Sequence, residues 1–231
     1  MIDYIHPMTL RKRFITSVVC LSFVLSTALL SDTVLGQSTP GSAPSEIRQS
    51  LVSQLEKRDQ EIKQLIGDQD ESIEGEQREV LSKIVFDLLD AEALAAHALQ
   101  DTFDIISDED RSRFVDLFAR ILRDQSLANL DIYRAEITYD SVAIAQPDQL
   151  RPTGDYSDIT YVVYTKARFE EVETPVLYVM ALGDNSSWRI LDMSIDDVYT
   201  GESYRRQFQS IMRSRGFQPL LESLQRRADR I

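Results

Sequence analysis

The sequence is short of the residues on which much protein chemistry depends. It has one cysteine, Cys20, and two histidines. Cys20 lies in an N-terminal apolar run that reads as an export signal, so the exported chain would carry no thiol. That excludes a disulfide framework, a thiol nucleophile and a cysteine-ligated metal. The one histidine beyond the signal, His97, is too few for a histidine-based metal site. There is no G-x-S-x-G, no P-loop and no G-x-G-x-x-G. Basic charge is almost all arginine, because beyond the signal the lysines are only Lys57, Lys63, Lys83 and Lys166. The formal net charge of −13 makes duplex nucleic acid and an anionic membrane surface poor partners for the chain as a whole.

What is present begins with that signal. Arg11, Lys12 and Arg13 form a basic start, Phe14 to Leu30 an apolar run, and Val34 and Gly36 take the −3 and −1 places of a cleavage site. The run is slightly shorter than the about 20 residues of a membrane span. Cys20 lacks the small preceding residue that lipoprotein processing uses. The expected division is 1–36 signal peptide, 37–45 linker and 46–231 a single domain, with 36 acids against 22 bases once Asp3, Asp32 and the three basic residues are removed.

Ile47, Leu51, Leu55, Ile62 and Ile66 recur at helical spacing between a cap at Ser45 and a stop at Gly67. Val80 to Leu89 gives a second helix and Ala91–Phe103 a third. Ser107 with Asp110 resembles a capping box opening a long helix through Phe114, Leu117, Phe118, Ile121, Leu122 and Leu130. Four strands follow, at Ala135–Ala145, Ile159–Glu170, Thr174–Leu182 and Ser187–Ile195, with a polar loop at Pro147–Ser157 and a turn at Gly183-Asp184-Asn185. Two helices, about Glu202–Arg215 and Phe217–Arg230, close the chain around Gly216. The fold class is α+β, an antiparallel four-stranded sheet packed by several helices. In Pro175–Leu182 both faces are apolar, so the sheet needs cover on both sides, or cover on one and an apolar ligand on the other.

Catalytic groups are few. His97 reads as an ordinary residue of an alanine-rich helix. Asp192, Asp196 and Asp197 form a possible acid pair, but read better as a locally bonded carboxylate and a strand end. Asp68 to Glu79 brushes against a calcium loop, yet has Ile73 where the sharp turn needs glycine. Arg205, Arg206, Arg213, Arg215, Arg226, Arg227 and Arg230 make the last helices basic, as a solvated face or a docking patch.

Two blocks of residues carry a resemblance. The first is Leu88-Leu-Asp90-Ala-Glu-Ala-Leu-Ala-Ala-His-Ala-Leu99, then Ser107–Arg113, Phe114 and Phe118. The second is Trp188-Arg-Ile-Leu-Asp192-Met-Ser-Ile195, then Tyr204-Arg-Arg-Gln-Phe208, Gly216 and Leu220-Leu-x-x-Leu224. In this order, behind an export signal, the chain resembles the MlaC-type (toluene-tolerance) phospholipid carriers over roughly Val80–Leu224. It departs from them at Gln100, where the family commonly has glycine, at Asp197-Val-Tyr-Thr-Gly201, and in its acidity.

The resemblance implies a periplasmic monomer that holds the acyl tails of a phospholipid in an apolar cavity between a curved sheet and helices. It further implies exchange with an inner-membrane ABC lipid transporter complex and an outer-membrane lipoprotein complex, no cofactor, and no catalysis. Candidate lipid-contacting residues are Phe103, Phe114, Phe118, Ile121, Tyr161, Val163, Val179, Met193, Phe208 and Met212. The methionines suit a cavity that must fit and release its load. The competing readings are an enzyme on a cone-like α+β scaffold, with Asp192, His97 and a tyrosine converging in a polar cavity, and a cavity-free envelope adaptor.

Overall fold

The computed structural model describes residues 41–231 apart from 68–72, 74, 128–132, 146–155 and 184–185. The expected signal, Leu130, most of the Pro147–Ser157 loop and the Asp184-Asn185 turn lie outside the described residues. The elements run α1 (Ser45–Ile66), α2 (Gly75–Asp87), α3 (Ala91–Leu99), α4 (Asp101–Ile105), α5 (Asp108–Ser126), β1 (Glu136–Ile144), β2 (Tyr156–Phe169), β3 (Val172–Gly183), β4 (Trp188–Ile195), β5 (Val198–Tyr199), α6 (Thr200–Arg215) and α7 (Phe217–Ala228). Among the described residues no helix is long and apolar enough to cross a membrane.

The expected α+β order is present, but the sheet has five strands, not four, in the simple meander β1-β2-β3-β4-β5. Asp196–Gly201 reads from sequence as one turn. In the structure Asp196 and Asp197 both take positive φ, 51° and 61°, as in a tight two-residue hairpin turn. The chain therefore reverses at once, and Val198 and Tyr199 pair with Ile195 and Ser194. Strand β4 also bulges, with Val179 opposite Asp192 and Met180 opposite Ile190, so Leu191 is the extra residue.

Both sheet edges are covered. Ala43 N–H donates to Val142 O at 3.1 Å and Ile144 N–H to Gly41 O at 2.9 Å, so part of the expected linker is paired with β1. On the far side Leu88–Asp90 pairs in parallel with Ile190, through Ile190 N–H to Leu88 O at 2.6 Å and Asp90 N–H to Ile190 O at 2.8 Å. Covering an edge removes a template for pairing with other chains. It also joins the two resemblance blocks, about a hundred residues apart.

Two helix boundaries differ from the sequence reading. Ser45 is itself helical and Pro44 takes the cap position, which its restricted φ suits. The stretch Ala91–Phe103 is two helices, broken at Gln100, whose φ is 55° and ψ −138°. That region favours glycine and costs a side-chain residue on the order of 1–3 kcal/mol. Gln100 recovers part of this by donating its side-chain amide to His97 O at 2.8 Å. The Ser107 cap is as expected, its hydroxyl accepting Asp110 N–H at 3.2 Å.

Gln100→Gly is expected to raise stability by about 1 kcal/mol, strain relief outweighing the lost side-chain bond. Thermal unfolding followed by circular dichroism checks it; a lower melting temperature would show that the side-chain bond dominates.

Candidate functional site

Two apolar interiors flank the sheet. On one face Val142, Tyr161, Val163, Val176, Tyr178, Met180, Trp188 and Ile190 pack together with Leu51 and Leu55 of α1. Tyr161 meets Trp188 edge-on with ring centres 5.6 Å apart. Helix α1 supplies Ile47, Leu51, Val52 and Leu55 here, and polar contacts beside them. The Trp188 indole N–H donates to Ser50 Oγ at 2.9 Å. Gln54 exchanges two bonds with the Trp188 backbone, at 3.0 and 3.3 Å, and Arg48 donates to Asp140 O at 3.1 Å.

The second interior is helical and aromatic. Phe103, Phe114, Phe118, Ile121 and Phe208 are buried in it with Leu220, Leu221 and Leu224 of α7, and Met212 packs half-buried against it. Phe208 lies 5.5 Å from both Phe114 and Phe118, edge-on to each. Of the ten expected lipid-contacting residues, six therefore meet in this core. Tyr161 and Val163 are buried on the α1 side of the sheet, and Met193 packs partly buried beside them. Val179 is fully buried, and alternation along β3 puts it on the opposite face from Tyr178 and Met180. The ten therefore divide between the helical core and the two faces of the sheet. An open depression on the outer face of α6, lined by Arg206, Gln209, Ser210, Arg213 and Ser214, is polar.

Between sheet and helices sits one buried carboxylate. Asp192 Oδ1 accepts Met193 N–H at 2.7 Å and Gly201 N–H at 3.0 Å, and so ties β4 to the first turn of α6. Only glycine fits there, since a Cβ on Gly201 would lie 2.4 Å from His97 Cδ2 and 2.9 Å from Asp192 Oδ2. Asp192 Oδ2 has no hydrogen-bond partner, so His97 and Asp192 do not form the oriented pair that an acid–base catalyst would need. Burial pushes the Asp192 carboxyl up to about 6, against the backbone amides that lower it. Burial also holds the His97 imidazole below its ordinary value, with Glu202 raising and Arg205 lowering it. Among the described residues no group of three or more histidine, cysteine or acidic side chains is placed to hold a metal.

The sequence reading missed one cluster. Arg58 and Asp59 of α1 turn inward onto Tyr178 and Tyr139. The signal was in the spacing: Leu51, Leu55, Arg58, Ile62 and Ile66 form one helical stripe, and the arginine takes an apolar place in it.

The family model described as MlaC protein matches residues 56–226, well over half of the sequence. The chain belongs to the MlaC family. Among solved structures, it is similar to a phospholipid-binding protein from Ralstonia solanacearum, solved in complex with a phospholipid. The two share 15% identity, the match covers 79% of this chain and 97% of that one, and the TM-score is 0.57. At that identity the likeness is one of fold. A comparison with curated proteins finds no significant match. The two blocks of MlaC-type residues read from the sequence come together here at Leu88–Asp90 against Ile190, and at Phe114 and Phe118 against Phe208.

Asp192 gives a pH prediction for this MlaC-family protein. Its folded value of about 6 lies above its ordinary 3.8, so the folded chain holds the proton more tightly than the unfolded one. The stability it contributes is complete below about pH 4 and is lost as pH rises through about 6, by roughly 2–3 kcal/mol. Asp192→Asn keeps the acceptor for Gly201 N–H and removes the charge. It is expected to raise the melting temperature at pH 7.5 and to flatten its dependence between pH 4 and 7. A lower melting temperature at every pH would contradict this.

Proposed function

We propose that this protein is a phospholipid carrier rather than an enzyme, a soluble periplasmic shuttle that exchanges lipid with an inner-membrane ABC lipid transporter complex and an outer-membrane lipoprotein complex. The observation that carries the reading is the sheet face beneath α1, in a chain of the MlaC family. It presents a continuous apolar surface from Val163 and Tyr178 to Trp188 and Ile190. Its cover is a single helix, which sets Ile47, Leu51, Val52 and Leu55 on the sheet and adds polar contacts at Ser50, Gln54 and Arg48. Such contacts exchange for water at small net cost, about 0.5–1.5 kcal/mol each. Helix α1 is thus the element that can lift while the aromatic core around Phe114 and Phe208 stays packed.

Acyl tails entering beneath α1 would supply the driving force. Each buried methylene contributes about 0.8 kcal/mol, so two tails give on the order of 20 kcal/mol gross. Ordering the tails and displacing α1 offset much of it, which suits a carrier that must also release its load. The phospholipid-bound relative from Ralstonia supports the same class of ligand. The N-terminal export signal expected at residues 1–36, cleaved near Gly36, supports the periplasmic location. The enzyme reading is weakened by Asp192, whose Oδ1 is taken by backbone amides.

Protein purified from its native host is expected to yield phospholipid, near one molecule per chain, in the mass spectrum of an organic extract. A lipid-free extract, together with no uptake from phospholipid vesicles, would contradict the carrier reading.

A further inference from the structure

We propose that Arg58, Tyr139 and Tyr178 form the site for the headgroup phosphate of the carried phospholipid, with Asp59 as the internal anion that the phosphate displaces. This rests on the carrier reading and deepens it. Arg58 and Asp59 lie on the inner side of α1 with side chains only 13% and 17% exposed. The guanidinium sits 5.4 Å from the centre of the Tyr178 ring. Its Nη2 is 3.4 Å from both Tyr178 Oη and Asp59 Oδ1, each at the outer limit of a hydrogen bond. Its Nε is buried and has no partner. The Tyr139 hydroxyl donates to Asp59 Oδ2.

This is a poor arrangement for a purely structural ion pair. A guanidinium presents five N–H donors in a planar fork suited to two oxygens at once. Among the described residues only one of its nitrogens is hydrogen-bonded, by two long contacts, while a buried Nε–H is left unmatched, a costly state for any polar group. A tetrahedral phosphodiester corrects each defect. Its two non-bridging oxygens match the Nε and Nη2 fork, and remaining lone pairs accept from the hydroxyls of Tyr139 and Tyr178. Adding a phosphate to the intact pair would bury a net negative charge, so Asp59 must leave. Its partial exposure puts water within reach of a side-chain rotation.

The position fits the rest of the ligand. Tyr178 is itself part of the apolar sheet face, and Tyr139 packs against that face. Along β3, Tyr178, Met180 and Leu182 point to this one side, with Leu182 opposite Trp188. The phosphate would lie at the Tyr178 end and the tails would run towards Trp188.

The test compares uptake of dioleoylphosphatidylglycerol and of dioleoylglycerol, which has the same tails and no phosphate, from mixed vesicles. The wild-type protein is expected to prefer the phospholipid. Arg58→Gln should lower the ratio of phospholipid to dioleoylglycerol uptake about tenfold, the effect of one charge-assisted contact. Tyr178→Phe keeps the ring packing and should lower phospholipid uptake about threefold, again selectively. Asp59→Asn, which removes the competing anion, should raise it. An equal fall for both lipids, or no change in either variant, would overturn the site and leave the carrier reading standing. If the wild-type protein takes up neither lipid, the carrier reading itself fails. If, in addition, it binds inorganic phosphate in a way that Arg58→Gln abolishes, the cluster serves a free anion and the headgroup assignment is overturned.

Discussion

The middle of strand β3 is buried on both faces. Val176, Tyr178 and Met180 point to one side, Val179 and Ala181 to the other, and all five are buried. A sheet built on such a strand must be covered twice, and the helices are the two covers. Covering both faces of one strand is the constraint from which the rest of the architecture follows. It also explains why helices precede and follow the meander: the early helix α1 lies on one side, while α3 and the late α6 share the other with the buried Asp192 and Leu94 contacts at Gly201.

The two covers are held differently, and the difference carries the functional argument. On the α6 side the contact is buried and committed. A buried carboxylate binds the first turn of the helix, a glycine permits close approach, and an aromatic cluster of Phe114, Phe118, Tyr204 and Phe208 fills the space beyond. Opening it would expose large apolar surface and an anchored charge. On the α1 side, Leu51 and Leu55 are the buried apolar plugs over the sheet, Ile47 and Val52 pack partly buried beside them, and hydrogen bonds involving Arg48, Ser50, Gln54 and Arg58 complete the contact. Water can replace those bonds. On the proposed carrier reading, the exchangeable cover is where an apolar ligand enters.

Much of this was legible in the sequence, and the exceptions have physical causes. The two-sided apolar pattern of β3 was plain, because alternation along a strand reports each face directly. The helices of the C-terminal third were equally plain, being strongly amphipathic with Gly216 between them. Strand β5 was not legible. Two residues of strand have no periodicity, and the Asp-Asp pair that turns the chain reads only as a strand end running into a turn. The break at Gln100 was hidden because glutamine is a good helix former, and only the departure from glycine in related chains hinted at it. The grouping of the ten expected lipid contacts was not legible either. Periodicity says that Phe114, Tyr161 and Val179 are inside, but not that the sheet stands between Val179 and Tyr161. Arg58 was overlooked because charged residues are usually assigned to the wet face of a helix, although its spacing from Leu55 and Ile62 placed it on the dry one.

The central claim is that lipid tails enter between α1 and the sheet. Photo-crosslinking with a phospholipid that carries a diazirine in its acyl chain, followed by peptide mapping, tests it most directly. The account predicts adducts on β2, β3 and α1, around Val163, Met180 and Leu55. Adducts confined to α5 and α7, in the aromatic core around Phe114, would contradict it.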